Sequence, residues 1–136
     1  MAPDRLSNEE LVERAREVRN RAYAPYSEYP VGAALLTRSG HVFEGVNVEN
    51  AAYPTTMCAE RNAVFAAVTQ GERAFDVIAV VTENGGEPCG ACRQVLSEFG
   101  LDLLVVTADA HGAIKLQAKL SELLPNAFGP QDLIVP

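Results

Sequence analysis

The stretch MCAERNAVFAAVTQ (57–70) is apolar at most positions, stops at Gly71, and is followed closely by FDVIAVVT (75–82). A helix that is apolar on most sides has to be buried. A strand with almost no polar residue belongs at the centre of a sheet. The two segments together require a sheet covered by helices, and the rest of the chain supplies the remaining pieces.

Residues 7–24 read as an amphipathic helix, with Ser7 and Glu10 as a capping box and Leu11, Ala15, Val18 and Ala22 on one face. The prolines of APYSEYP (24–30) stop it. VGAALLT (31–37), the turn RSG and HVFEGVNVEN (41–50) predict a hairpin. CGACRQVLSEF (89–99) predicts a helix with Cys92, Leu96 and Phe99 on a shared face. LDLLVVT (101–107) and AIKLQA (113–118) predict two more strands, followed by a helical turn broken at Pro125 and a tail of loop formers. The order α-β-β-α-β-α-β-β predicts an α/β fold with one mixed five-stranded sheet and helices on both faces.

At 136 residues, 48% of them hydrophobic and 21% charged, the chain has the size and composition of a single globular domain, 1–136. No apolar run reaches the roughly 18 residues of a membrane span. The charged segment MAPDRLSNEELVERAREVRN lacks the apolar region of a secretory signal. The expectation is a cytoplasmic protein with no membrane partner. A net charge of −7 without a basic stripe argues against nucleic acid and favours a small neutral ligand. Three cysteines cannot close a disulfide set.

Those three cysteines fall at telling places. Cys89 and Cys92 form a C-x-x-C pair where a loop enters a helix, and Cys58 starts the other buried helix. Unsatisfied N–H groups at helix starts favour thiolate over thiol. Three ligands on one Zn²⁺ leave the fourth tetrahedral position open, as catalytic zinc requires. Read singly, Cys58 is first a small buried hydrophobe, and CGAC equally a redox pair or half of a structural Cys₄ site. His41 and His111 read as solvent-facing residues rather than a fourth ligand. Glu60 tips the balance, because a carboxylate in an alanine-rich buried helix needs a reason. Two residues past a ligand, it can reach the open position and take a proton from water acidified by the metal. Alone it would read as an acid favoured by the helix dipole. Arg61 can donate to the Cys58 sulfur and offset the excess thiolate charge, or else pair with a surface carboxylate.

In combination, CAER (58–61), PCGACRQVL (88–96), APYSEYPVGAAL (24–35), GVNVENAAYP (45–54) and LLPNAFGPQDL (123–133) resemble the zinc-dependent cytidine deaminases of the small homotetrameric type. The resemblance spans nearly the whole chain. It implies a three-layer cytidine-deaminase-like fold, with one Zn²⁺ per subunit on Cys58, Cys89 and Cys92. It implies hydrolytic deamination of cytidine and deoxycytidine to uridine and deoxyuridine in pyrimidine salvage. Glu60 would carry protons to N3 of the base and to departing ammonia. Asn47 and Glu49 would bind the ribose hydroxyls, which suits two polar side chains on one strand face. The backbone N–H of Ala59 would contact the base. Phe128 would stack on the pyrimidine from another subunit, and Tyr53 would be lent across the same interface. Tyr29 also belongs to the substrate wall, where the family usually has phenylalanine; its hydroxyl needs a partner.

Two other functions compete. A blasticidin-S-type deaminase would share CAE and the PCG motif, but its segment matching NVEN lacks the glutamate. A non-catalytic zinc or redox module would close its metal site with a fourth ligand, or form a Cys89–Cys92 disulfide.

Overall fold

The computed structural model describes residues 5–133. The first four residues of the charged N-terminal segment and the last three of the C-terminal tail lie outside them. Helix α1 covers Asn8–Val18, and its Ser7–Glu10 capping box forms as expected. A short 3₁₀ turn, Arg19–Arg21, replaces the helix that was expected to run on to residue 24. Accordingly the buried face is Leu11, Val12 and Ala15, while Val18 is half-buried and Ala22 lies beyond the helix.

Strands β1 (Gly32–Thr37) and β2 (Val42–Val46) form the hairpin, with Gly32 opposite Val46 and Leu36 opposite Val42. Helix α2 (Ala59–Thr69) follows, and β3 (Phe75–Val81) returns antiparallel to β1. Helix α3 (Gly90–Ser97) then carries the chain over to β4 (Leu104–Ala108), which lies parallel to β3. A parallel pair needs such a crossover, whereas the hairpins do not. Antiparallel β5 (Ile114–Lys119) closes the order β2-β1-β3-β4-β5, and the short α4 (Leu120–Leu123) follows. The fourth strand starts later than expected because Leu101 and Asp102 form a turn.

Alternation along the central strands builds two cores, one on each face of the sheet. Ala33, Leu35, Ile78, Val80 and Val105 pack with Ala59, Ala63 and Val64 of α2 and Leu96 of α3. Ala34, Leu36, Ala79, Val81 and Val106 pack with Leu11, Val12 and Ala15 of α1. The three layers are therefore α1, the sheet, and α2 with α3. Two glycines set the spacing between layers. A Cβ at Gly32 would lie 2.1 Å from the Ala15 carbonyl oxygen, and one at Gly45 would lie 2.3 Å from that of Ala59. Only glycine allows backbone to approach backbone this closely.

Helix α2 departs from the expectation in one respect. Its apolar surface is wider than the core it covers, and Phe65 stays 44% exposed. At the far edge, β5 alternates half-buried Ile114, Leu116 and Ala118 with exposed Lys115, Gln117 and Lys119. Among the described residues, no helix is long and apolar enough to cross a membrane.

Candidate active site

Helices α2 and α3 lie on the same face of the sheet, and their N-termini meet. Cys58 is the N-cap of α2 and Cys89 the N-cap of α3, both in extended conformation; Cys92 sits in the first turn of α3. The three sulfurs lie within 4.8 Å of one another. The Cys89 and Cys92 sulfurs are 3.5 Å apart, and the Cys92 amide points at the Cys89 sulfur. The C-x-x-C pair and the distant Cys58 thus form one group, as expected.

The donor set fits a soft divalent metal. Arg61 donates from Nη2 to the Cys58 sulfur at 3.2 Å. A hydrogen bond from Cys92 and the charge of Arg61 hold the Cys58 thiol down at about 5, against the burial that would raise it. Cys92 is driven the opposite way, first by its bond to Cys58 and then by burial. Without metal the cluster therefore shares protons, and a cation that accepts thiolates would displace them. Zinc bound by Cys58, Cys89 and Cys92 is the arrangement these residues can make.

A cavity of about 260 Å³ opens beside this cluster, lined by residues that include Tyr29, Asn47, Glu49, Cys58, Ala59, Glu60 and Cys89. Glu60 is 5% exposed, and burial pushes its carboxyl up to about 7, with the nearby Cys58 charge acting in the same direction. Cys58 makes no side-chain cap on α2, so the first N–H groups of the helix are free for a ligand at Ala59.

Asn47 and Glu49 are both brought to the cavity, but not by a regular strand. β2 ends at Val46, and Val48 makes isolated bridges to Tyr23 and Met57 instead. Val48 is 46% exposed, rather than turned into the core. The Asn47 amide is largely engaged, accepting from the Val31 N–H at 2.9 Å and donating to the Tyr29 carbonyl at 3.0 Å. Glu49 accepts from the Tyr26 and Ser27 amides and from the Ser27 hydroxyl. The Ser27 bonds hold its carboxyl below the usual range, so it stays a carboxylate.

Tyr53 and Phe128 do not line this cavity. Tyr53 instead borders an adjoining groove with Tyr26, Ser27, Glu49 and Thr56, and its ring meets Tyr26 edge-on at 6.0 Å. Phe128 is 58% exposed, and its backbone carbonyl accepts from Gln94 of α3. Ser27, Thr56, Thr82, Gly86 and Glu87 also line the cavity. The sequence reading missed them, since they come from loops whose meeting no local pattern announces. His41 is exposed and outside the three-sulfur group, bonded instead to Ser39 and Glu72.

Three metal-binding sulfurs rather than four, beside a cavity with a titrating carboxyl, define a metal-dependent enzyme centre rather than a structural metal knot. The comparisons give the family. Residues 6–108 match the family described as the cytidine and deoxycytidylate deaminase zinc-binding region, and the chain belongs to it. A cytidine deaminase from Sporosarcina psychrophila is 45% identical over 128 residues, covering 92% of this chain and 93% of the relative. One from Halalkalibacterium halodurans is 44% identical over 131 residues, covering 94% and 98%. The crystal structure of a cytidine deaminase from Burkholderia pseudomallei superposes with a TM-score of 0.86 at 47% identity, covering 90% of this chain and 100% of that one.

Proposed function

We propose that this protein hydrolyses the exocyclic amine of cytidine and deoxycytidine, releasing ammonia and leaving uridine or deoxyuridine. The observation that carries the reading is the pairing of the three-sulfur cluster with Glu60 on the wall of one cavity. Bound zinc supplies Lewis acidity and an acidified water. Glu60 supplies the proton traffic. Burial brings its carboxyl close to neutrality, so it can take one proton from water and pass it to N3, then take the second from the hydroxyl now on C4 and pass it to the departing amine. The free N–H groups at the start of α2 offer Ala59 as a donor to the base.

The choice of nucleoside over nucleotide follows from charge. The cavity wall contributed by this chain includes Glu49, Glu60 and Glu87 but no lysine or arginine. A 5′-phosphate would meet carboxylates without a compensating cation. Glu49 is an ionised acceptor for a sugar hydroxyl, and Asn47 keeps one amide hydrogen for the same purpose while its other bonds hold the wall in shape.

The assembly belongs to the same proposal. Tyr23 bridges Val48 and the Tyr26 ring meets Tyr53, and all four side chains are exposed, leaving apolar surface that a partner copy could cover. A homotetramer that covers it would bring Phe128 and Tyr53 of neighbouring copies to each cavity. The function is tested by ultraviolet assay of cytidine, deoxycytidine, deoxycytidylate and cytosine, with zinc measured on the same sample. Turnover confined to the two nucleosides is expected; efficient turnover of deoxycytidylate or free base would refute the reading of the wall.

A further inference from the structure

We infer that Tyr29, through its hydroxyl, is a positioning residue: it forms a strut with Asn84 that holds the β3–α3 loop as one wall of the substrate cavity. The inference rests on the proposed nucleoside function but concerns a contact within the chain itself.

The geometry starts at Asn47. Its amide fixes the Tyr29 carbonyl and the Val31 N–H, so the backbone under Tyr29 is anchored to the end of β2. Arg19 adds a second anchor, donating from Nε to the Pro30 carbonyl at 2.9 Å. From this base the Tyr29 side chain crosses to the loop after β3, and its hydroxyl donates to Asn84 Oδ1 at 2.7 Å. The loop is itself organised around Thr82, whose Oγ1 accepts from the Gly85 and Gly86 amides at 2.8 Å each. The same hydroxyl lies 3.4 Å from Asn84 Oδ1 as a donor, so Asn84 gathers both contacts. Thr82, Gly86, Glu87 and the Tyr29 ring all line the cavity.

Gly86 shows that the loop is shaped around this hydroxyl. A Cβ there would lie 2.9 Å from Tyr29 Oη, with its next neighbour, Asn84 Oδ1, at 3.5 Å. Its backbone does not adopt the positive φ that would demand glycine. A Cβ here would have to push the phenol hydroxyl aside. A phenylalanine at position 29 would keep the ring but lose the strut, leaving the Asn84 side chain and the Gly85–Glu87 rim held only by the Asn84–Asp109 bridge and the Thr82 hydroxyl. The metal side of the same loop is held separately, by Arg93, which donates to the Pro88 carbonyl at 2.8 Å and to the Leu123 carbonyl at 2.8 Å. Cutting the strut therefore loosens the wall that the nucleoside meets and leaves Cys89 in place.

The test combines kinetics with hydrogen exchange on zinc-loaded protein. Tyr29→Phe and Asn84→Ala should each raise KM for cytidine about two- to tenfold, the span of one net hydrogen bond, with a smaller change in kcat. The double variant should be no worse than the more impaired single variant, because both remove one contact. Gly86→Ala should raise KM as well, and adding Tyr29→Phe should return it towards the value for Tyr29→Phe alone. In the unliganded protein, the Gly85 and Gly86 amides should exchange faster in Tyr29→Phe, with zinc content unchanged. Wild-type exchange in Tyr29→Phe, additive KM effects, no rescue of Gly86→Ala, or loss of zinc from Tyr29→Phe would each overturn the strut. If the wild-type protein does not deaminate cytidine, the proposed function fails, and the exchange result alone decides the strut.

Discussion

Replacing Glu60 with glutamine separates the cost of burying this acid from its use. The carboxyl is 5% exposed, and its pKa in the folded chain is pushed from the ordinary 4.5 to about 7, chiefly by burial. A raised folded-state value means that the native state holds a proton the unfolded chain has released between those two pH values. Stability from this group is therefore complete below the unfolded value, falls as pH rises through the window, and is level above about 7. At about 1.4 kcal/mol per pH unit, the window amounts to about 3 kcal/mol. Glutamine has nearly the same shape and carries no charge, so it escapes this loss. In metal-free, thiol-reduced protein, urea unfolding should show the variant gaining on the wild type by about 3 kcal/mol from about pH 4.5 to about pH 8. The zinc-loaded variant should retain its metal yet turn over cytidine about 10²- to 10⁴-fold more slowly. A stability difference that does not change with pH would refute the burial argument, and near-normal turnover would refute the role in proton transfer.

Two further perturbations probe the surroundings. Phe128→Ala should raise KM for cytidine about tenfold, the scale of a lost aromatic contact, if a neighbouring copy lends the ring; an unchanged KM removes that role. Gly45→Ala should cost about 1–3 kcal/mol, because the new Cβ meets the Ala59 carbonyl at 2.3 Å and pushes α2 off β2. Thermal melting should fall by several degrees, about 4 °C or more, and zinc retention should weaken with it. A variant with wild-type melting and metal content would show that α2 is not held by this contact.

Much of the architecture was legible because the strands obey period two on both faces. Leu35 and Leu36, or Val80 and Val81, feed opposite cores, and a run with no polar residue has no other way to be satisfied. The cysteine cluster was legible because both of its parts fall at helix starts, where local signals are strongest. Boundaries were less so. Nothing in the residues after Val18 marks the change to a tighter turn, and Leu101 looks like strand until the turn at Asp102 is seen. Asn47 and Glu49 reach the cavity beside the cysteines for a different reason than alternation: the chain past Val46 is pinned by bridges to Tyr23 and Met57. The Tyr29–Asn84 contact spans 55 residues between two loops, and no spacing rule reads that distance.

The lysines of β5 have a consequence for how copies of the chain can meet. An outer strand with free N–H and C=O groups invites another strand to extend the sheet, and that is the usual first step towards fibrillar stacking. Here every second residue of the outer strand is exposed and polar, with Lys115 and Lys119 repelling their counterparts on any incoming copy. Growth in that direction is disfavoured. The homotetramer proposed above would instead meet through exposed aromatic side chains, where a finite, closed assembly can form.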